Sequence, residues 1–185
     1  MSARPRRTIR LLAVVLVAVV LNACGGNGGA TNLALGDTAV VDHTDLTAGT
    51  PAPRTTLGIT VLTVQTGTLS DLEQAGFDLD TQAKASTPYY VDVRYENKGS
   101  QTIGRLIDVS LEDEVGDDYS STTIIALDDT PFAPCPDATK GDLKPGDTFE
   151  RCTLFLVPSG RHPKRVSFLP YDPQHETQFI YWAIP

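Results

Sequence analysis

Eight residues constrain this fold more than any others. From Tyr89 to Glu96 the chain alternates Tyr89, Val91, Val93 and Tyr95 with Tyr90, Asp92, Arg94 and Glu96. Successive side chains of a strand point to opposite faces, so period two puts the first set inward and the second outward. A strand with one dry face needs a second layer to cover it. The rest of the chain supplies strands rather than helices. Thr38-Ala39-Val40-Val41 reads as a short strand, and Leu57 to Val64 as a longer one with Leu57, Ile59 and Val61 on one face. Residues 101–112, Tyr119 with Ile124 and Ile125, Thr148 to Val157, Arg165 to Leu169 and Gln178 to Ile184 supply the others. Turn signals separate them at Asn97-Lys98-Gly99, Gly116, Lys144-Pro145-Gly146 and Pro158-Ser159-Gly160. Helical periodicity is nearly absent; only Ser70-Asp71-Leu72-Glu73, spaced like a capping box and followed by Gly76, predicts one or two helical turns. The expected fold is all-β: an antiparallel sandwich of seven or eight strands.

Residues 1–23 belong to a different physical regime. Arg4, Arg6, Arg7 and Arg10 precede eleven apolar residues, Leu11 to Leu21, closed by Asn22-Ala23-Cys24. As a helix that run covers about 16 Å, against a hydrocarbon core of ~30 Å. A basic start, a short apolar segment and a small residue before the cut are the marks of an export signal. Leu21-Asn22-Ala23-Cys24 further resembles the signal of bacterial lipoproteins, which implies cleavage between Ala23 and Cys24, a diacylglycerol-modified Cys24, and a domain held at the cell membrane on its extracytoplasmic side. The competing readings are an uncleaved anchor from about Ile9 and cleavage without lipid. Residues 24–36, with Gly25, Gly26, Gly28 and Gly29, read as a tether reaching about 20 Å, and 37–185 as the folded domain.

Removing the signal takes four of the fifteen basic residues and none of the 23 acidic ones, leaving a formal charge of −12. Such a chain is repelled by nucleic-acid phosphates and anionic headgroups, which excludes nucleic-acid binding and assigns membrane contact to the lipid. Three cysteines fit an exported chain if one is lipidated. Cys135 and Cys152, seventeen positions apart, then remain for a disulfide, the alternative being two buried thiols.

Leu35-Gly36-Asp37-Thr38, Tyr90 to Gly99, and Leu143 to Asp147 running into Leu154 to Pro158 together resemble the immunoglobulin-like, telokin-like extracellular domain of Gram-positive lipoproteins, related to small secreted immunogenic proteins of mycobacteria. The resemblance implies an immunoglobulin-like sandwich and no particular activity.

Chemistry-bearing residues are sparse. His43, His162 and His175 fall in separate loops, each expected to be exposed, and His175-Glu176 lacks the second histidine of a zinc peptidase helix. No serine-nucleophile elbow is present. The sequence therefore points to no catalytic residue and no cofactor. Asp113, Asp117 and Asp118 are calcium candidates at a turn, although a solvated turn is the plainer reading. Among the aromatics, Tyr90 and either Tyr181 or Trp182 are forced outward, where they would suit a partner. The leading expectation is a lipid-anchored, non-enzymatic binding module with an unknown partner. A small-ligand or calcium receptor is the alternative, and a hydrolase a third.

Overall fold

A computed structural model describes residues 30–45, 52, 54–104, 108–122, 132–136, 142–171 and 177–185. The export signal, Cys24, Ile124, Ile125 and His175 lie outside the described residues.

Two sheets face each other across one core. Strands β1 (Thr31–Ala34), β2 (Thr38–Thr44), β3 (Arg54–Thr66), β4 (Ser86–Asn97), β5 (Ser110–Asp113), β6 (Asp118–Tyr119), β7 (Thr148–Pro158), β8 (Pro163–Phe168) and β9 (Ile180–Ala183) are joined by helices α1 (Leu69–Gln74) and α2 (Thr81–Lys84) between β3 and β4. One sheet has the order β2-β3-β4-β7, the other β1-β9-β8-β5-β6. The all-β sandwich is as expected, with nine strands among the described residues rather than seven or eight, and with β1 parallel to β9 in an otherwise antiparallel pattern.

The extra strand is β1. Thr31 to Ala34, expected to finish the tether, instead pairs along β9, and Leu33 and Leu35 pack on the core. Spaced by two, Leu33 and Leu35 turn to the same side, which gives this polar-looking stretch an apolar face toward the core. Trp182, fully buried, donates its indole N–H to the Asp37 carbonyl at 2.9 Å and fastens the turn that follows.

Tyr89, Val91, Val93 and Tyr95 all face the core, as do Leu57, Ile59 and Val61. Beyond Val61 the β3–β4 register shifts by one residue, and this bulge turns Val64 back onto the core. It accounts for the imperfect alternation of β3.

Tyr90 corrects an expectation. It does leave the core face, but it is buried under a second cluster with Leu72, Leu79, Ala83 and Leu154. The segment between β3 and β4 folds over that half of the sheet. Its helix starts two residues before the expected box: Thr68 Oγ1 accepts from the Asp71 N–H, and the Asp71 carboxylate accepts from the Thr68 N–H, both at 3.1 Å. Starting there puts Leu72 on the Tyr90 side. Gly76 ends the helix at φ +80°, a left-handed conformation that costs glycine nothing. Phe132 meets both Phe77 and Tyr90 edge-on at 5.4 and 5.6 Å, and the Cys135–Cys152 disulfide ties its loop to β7.

At the other end of β4, Asn97 is fully buried. Its Oδ1 accepts from the Gly99 N–H and the Thr55 hydroxyl at 3.1 Å each; its Nδ2 donates to the carbonyls of Gln101 at 2.7 Å and Leu143 at 2.9 Å. The turn expected here is therefore built around a side-chain hub. Glycine is required at 99 because a Cβ there would press on the Thr55 hydroxyl and lie 2.6 Å from the Thr56 nitrogen.

Candidate functional site

The two outer faces differ in character. On the four-stranded sheet outward polar side chains pair with one another. Thr38 bonds Thr60 at 2.7 Å, Thr63 bonds Asp92 at 2.6 Å, and Arg94 meets Glu150 at 2.7 Å. The five-stranded sheet carries a row that ends in open aromatic surface.

Val166, Phe168, Ile180 and Trp182 point inward, so alternation turns Arg165, Ser167 and Tyr181 out. Register sets Arg165 opposite Glu112, and Glu112 opposite Asp118. Arg165 is salt-bridged to Glu112, and its guanidinium carbon lies 3.7 Å from the centre of the Tyr181 ring. Tyr181 stacks in turn on Phe179 at 5.7 Å and 14°. The Glu112 hydrogen bond, more than burial opposes it, raises the basicity of Arg165. Asp118 is pushed up by partial burial and then by the Glu112 charge.

This row has two ends. Leu169 follows β8 and Phe179 precedes β9, so they share one end. There the Phe179 carbonyl accepts from the Thr31 N–H at 3.3 Å and the Tyr171 carbonyl from the Thr44 N–H at 3.1 Å. Leu169, Tyr171 and Phe179 are 44%, 40% and 41% exposed. They are three of the five large exposed apolar residues among those described, the others being Val40 and Val115, which makes this end the apolar concentration of the described surface.

The opposite end is the acidic turn between β5 and β6. Asp113 is buried there, its Oδ1 accepting from the N–H groups of Val115, Gly116 and Asp117 at 2.9, 3.0 and 2.9 Å, and its Oδ2 from the Tyr119 hydroxyl at 2.9 Å. Burial opposes its charge, but the donors from Asp117, Tyr119 and Val115, with Arg161 nearby, outweigh it and hold the carboxyl below its ordinary range. The Tyr119 phenol is pushed up to about 12 by burial and by this bond. Glu114 is held low by backbone donors, its own N–H and that of His162, the latter at 2.7 Å.

The calcium candidates thus separate. Asp113 faces inward as the keystone of the turn, Asp118 joins the outer row, and Asp117 is drawn to Arg161 at 3.5 Å. Among the described residues no group of three or more His, Cys, Asp and Glu side chains is placed to hold a metal ion. The expectation of exposed histidines holds for His162 and fails for His43, which strand pairing carries into the interior at 1% exposure. Of the aromatic alternatives, Tyr181 faces out and Trp182 in. The aromatic end itself was missed because Leu169 and Phe179 read simply as strand residues; only their register places them side by side.

Asp113 carries a pH prediction. Its folded pKa lies below the unfolded value, so its contribution to stability is present above about pH 4 and is lost as pH falls through the folded value. Asp113→Asn is expected to lower Tm at pH 7 and to narrow the gap from the parent below pH 3, while Asp117→Asn changes little. Thermal melts of the three proteins between pH 2.5 and 7 check this; a constant gap would remove the carboxylate from the explanation.

No protein-family model matches the chain, and no curated protein matches it. Among solved structures it is similar to MPT63, a secreted protein from Mycobacterium tuberculosis, at 14% identity and a TM-score of 0.52, over 85% of this chain and 100% of that one. An uncharacterised β-sandwich protein from Clostridium difficile superposes with a TM-score of 0.46 at 10% identity, over 88% and 99% of the two chains. The likeness to MPT63 is one of fold, and at that level the mycobacterial resemblance read from the sequence holds.

Proposed function

We propose that this chain is a lipid-anchored cell-envelope module without catalytic activity, which engages an envelope component through the aromatic end of its five-stranded sheet. The observation that carries the reading is the preassembled stack of Arg165, Tyr181 and Phe179 beside exposed Leu169. Arginine and large aromatics on rigid strands lose little conformational entropy on contact and are the residue types that dominate binding surfaces. The buried polar residues Asn97 and Asp113, by contrast, spend their hydrogen-bonding capacity on backbone and neighbouring side chains, which is structural work. Attachment through Cys24 rests on the Arg4–Cys24 signal, and an extracytoplasmic location is supported by that signal, by the disulfide and by the secreted character of MPT63.

Two measurements test this. Detergent phase separation of the protein from its host is expected to place it in the detergent-rich phase, and Cys24→Ala in the aqueous one. Crosslinking on intact cells from a photoreactive residue at 181 is expected to recover a reproducible neighbour that the same probe at Val40 does not. Identical yields from both positions, at parental abundance, would argue against a dedicated contact surface.

A further inference from the structure

The aromatic end is also the end at which the chain enters the domain, and this suggests what covers it. Thr31 opens β1 beside Phe179, its N–H donating to the Phe179 carbonyl. Seven residue steps separate Cys24 from Thr31. At no more than about 3.6 Å each, they cannot hold Thr31 farther than about 25 Å from the lipidated cysteine.

We propose that Leu169, Tyr171, Phe179 and Tyr181 form a bilayer-docking surface that seats in the interfacial region and fixes the domain's orientation on the membrane. The inference rests on the anchoring reading and names the partner of the same surface. Three features favour a lipid interface over a protein groove. Tyrosine and phenylalanine bodies beside an arginine suit a layer that is apolar below and wet above. The patch adjoins the point from which the covalent anchor departs. Charge is distributed in the same sense: Glu112 is paired with Arg165 and Asp108 with Arg151, while Asp113, Glu114 and Asp117 gather at the other end of β8. The six residues of β8 span about 17 Å, roughly two Debye lengths at physiological salt. With the aromatic end down, the acidic turn stands outside the reach of anionic headgroups. Inverted, the domain would press that turn onto them.

The test uses the full chain, processed and lipidated by its host, then reconstituted into vesicles of phosphatidylcholine and phosphatidylglycerol. A benzoylphenylalanine is placed at 179, at 169 or at the distal Val115, and only proteins recovered from the detergent-rich phase are reconstituted. Labelling of lipid acyl chains is expected several-fold higher from 179 and 169 than from 115. Using two proximal positions guards against a probe that disturbs the fold, which melting temperature reports. Equal lipid labelling from all three positions, or capture of a second protein copy from 179 in place of lipid, overturns the docking surface and leaves the anchor standing. Recovery of the chain in the aqueous phase overturns both, since nothing then holds this end at a bilayer.

Discussion

Replacing Asn97 with alanine is expected to cost about 4 kcal/mol, because each buried polar group left without a partner costs ~1–3 kcal/mol and the carboxamide serves four. Domains of this size are stable by only ~5–15 kcal/mol, so the variant should fold but melt about 8–16 °C lower, at roughly 2–4 °C per kcal/mol. The reason lies in position as much as in bond count. Asn97 joins the end of β4 to β3 through Thr55 and to the Leu143 carbonyl beside the isolated Ile103–Leu143 bridge. Its own backbone adds two further bonds, to Asp147 and Gly146. Asn97→Asp makes the sharper case. It keeps the acceptor for Gly99 and Thr55 but turns the other oxygen toward two carbonyls. A carboxylate buried there has its pKa raised, so the neutral form is favoured in the folded state. Relative to the parent, this variant should be most stable below about pH 4, the unfolded value, and lose ground as pH rises through the folded value. Denaturant titrations at pH 3.5 and 7 measure it. If Asn97→Asp equals the parent at pH 7, the hydrogen bonds assigned to Nδ2 are wrong.

Reducing the Cys135–Cys152 disulfide, or replacing both cysteines with serine, is the second large effect expected. Closing a loop of this size is worth about 3 kcal/mol in the chain-entropy model, or a fall in Tm of about 10 °C. The damage should be local first. The disulfide holds the loop whose Phe132 covers Phe77 and Tyr90, and these belong to the second cluster, not to the core between the sheets. Hydrogen exchange should accelerate in α1, α2 and residues 132–136 while β3, β4 and β7 stay protected. Trp182, the one tryptophan and a member of the main core, serves as an internal control. Its fluorescence should stay unchanged on reduction at 25 °C and change only on global unfolding. A tryptophan signal that shifts together with loop exchange would mean that the two clusters form a single cooperative unit.

The sequence by itself determined the class of fold and the inner face of the central strands. Where each strand has one dry face, the alternation of Tyr89, Val91, Val93 and Tyr95 is written directly in residue order. It also made a Cys135–Cys152 disulfide the expectation, with two buried thiols as the alternative, and the fold brings the two cysteines together. Outward-pointing residues were different, because alternation gives direction but not what lies beyond. Tyr90 and Tyr181 both leave the core face; a helical segment closes over the first, while Arg165 and Phe179 flank the second. His43 was missed for a different reason: β2 runs on to Thr44, past the expected end at Val41, and so puts His43 on the inward face with Ala39 and Val41. Asn97 was legible as a turn residue but not as a hub, because its partners include Thr55 and Leu143, some 40 positions away. The aromatic end depended on the register of β8 against β9 and the parallel addition of β1. Residue order records local period and identity, whereas the meeting of Leu169, Phe179 and Thr31 at one rim is a property of strand pairing, which only the folded chain decides.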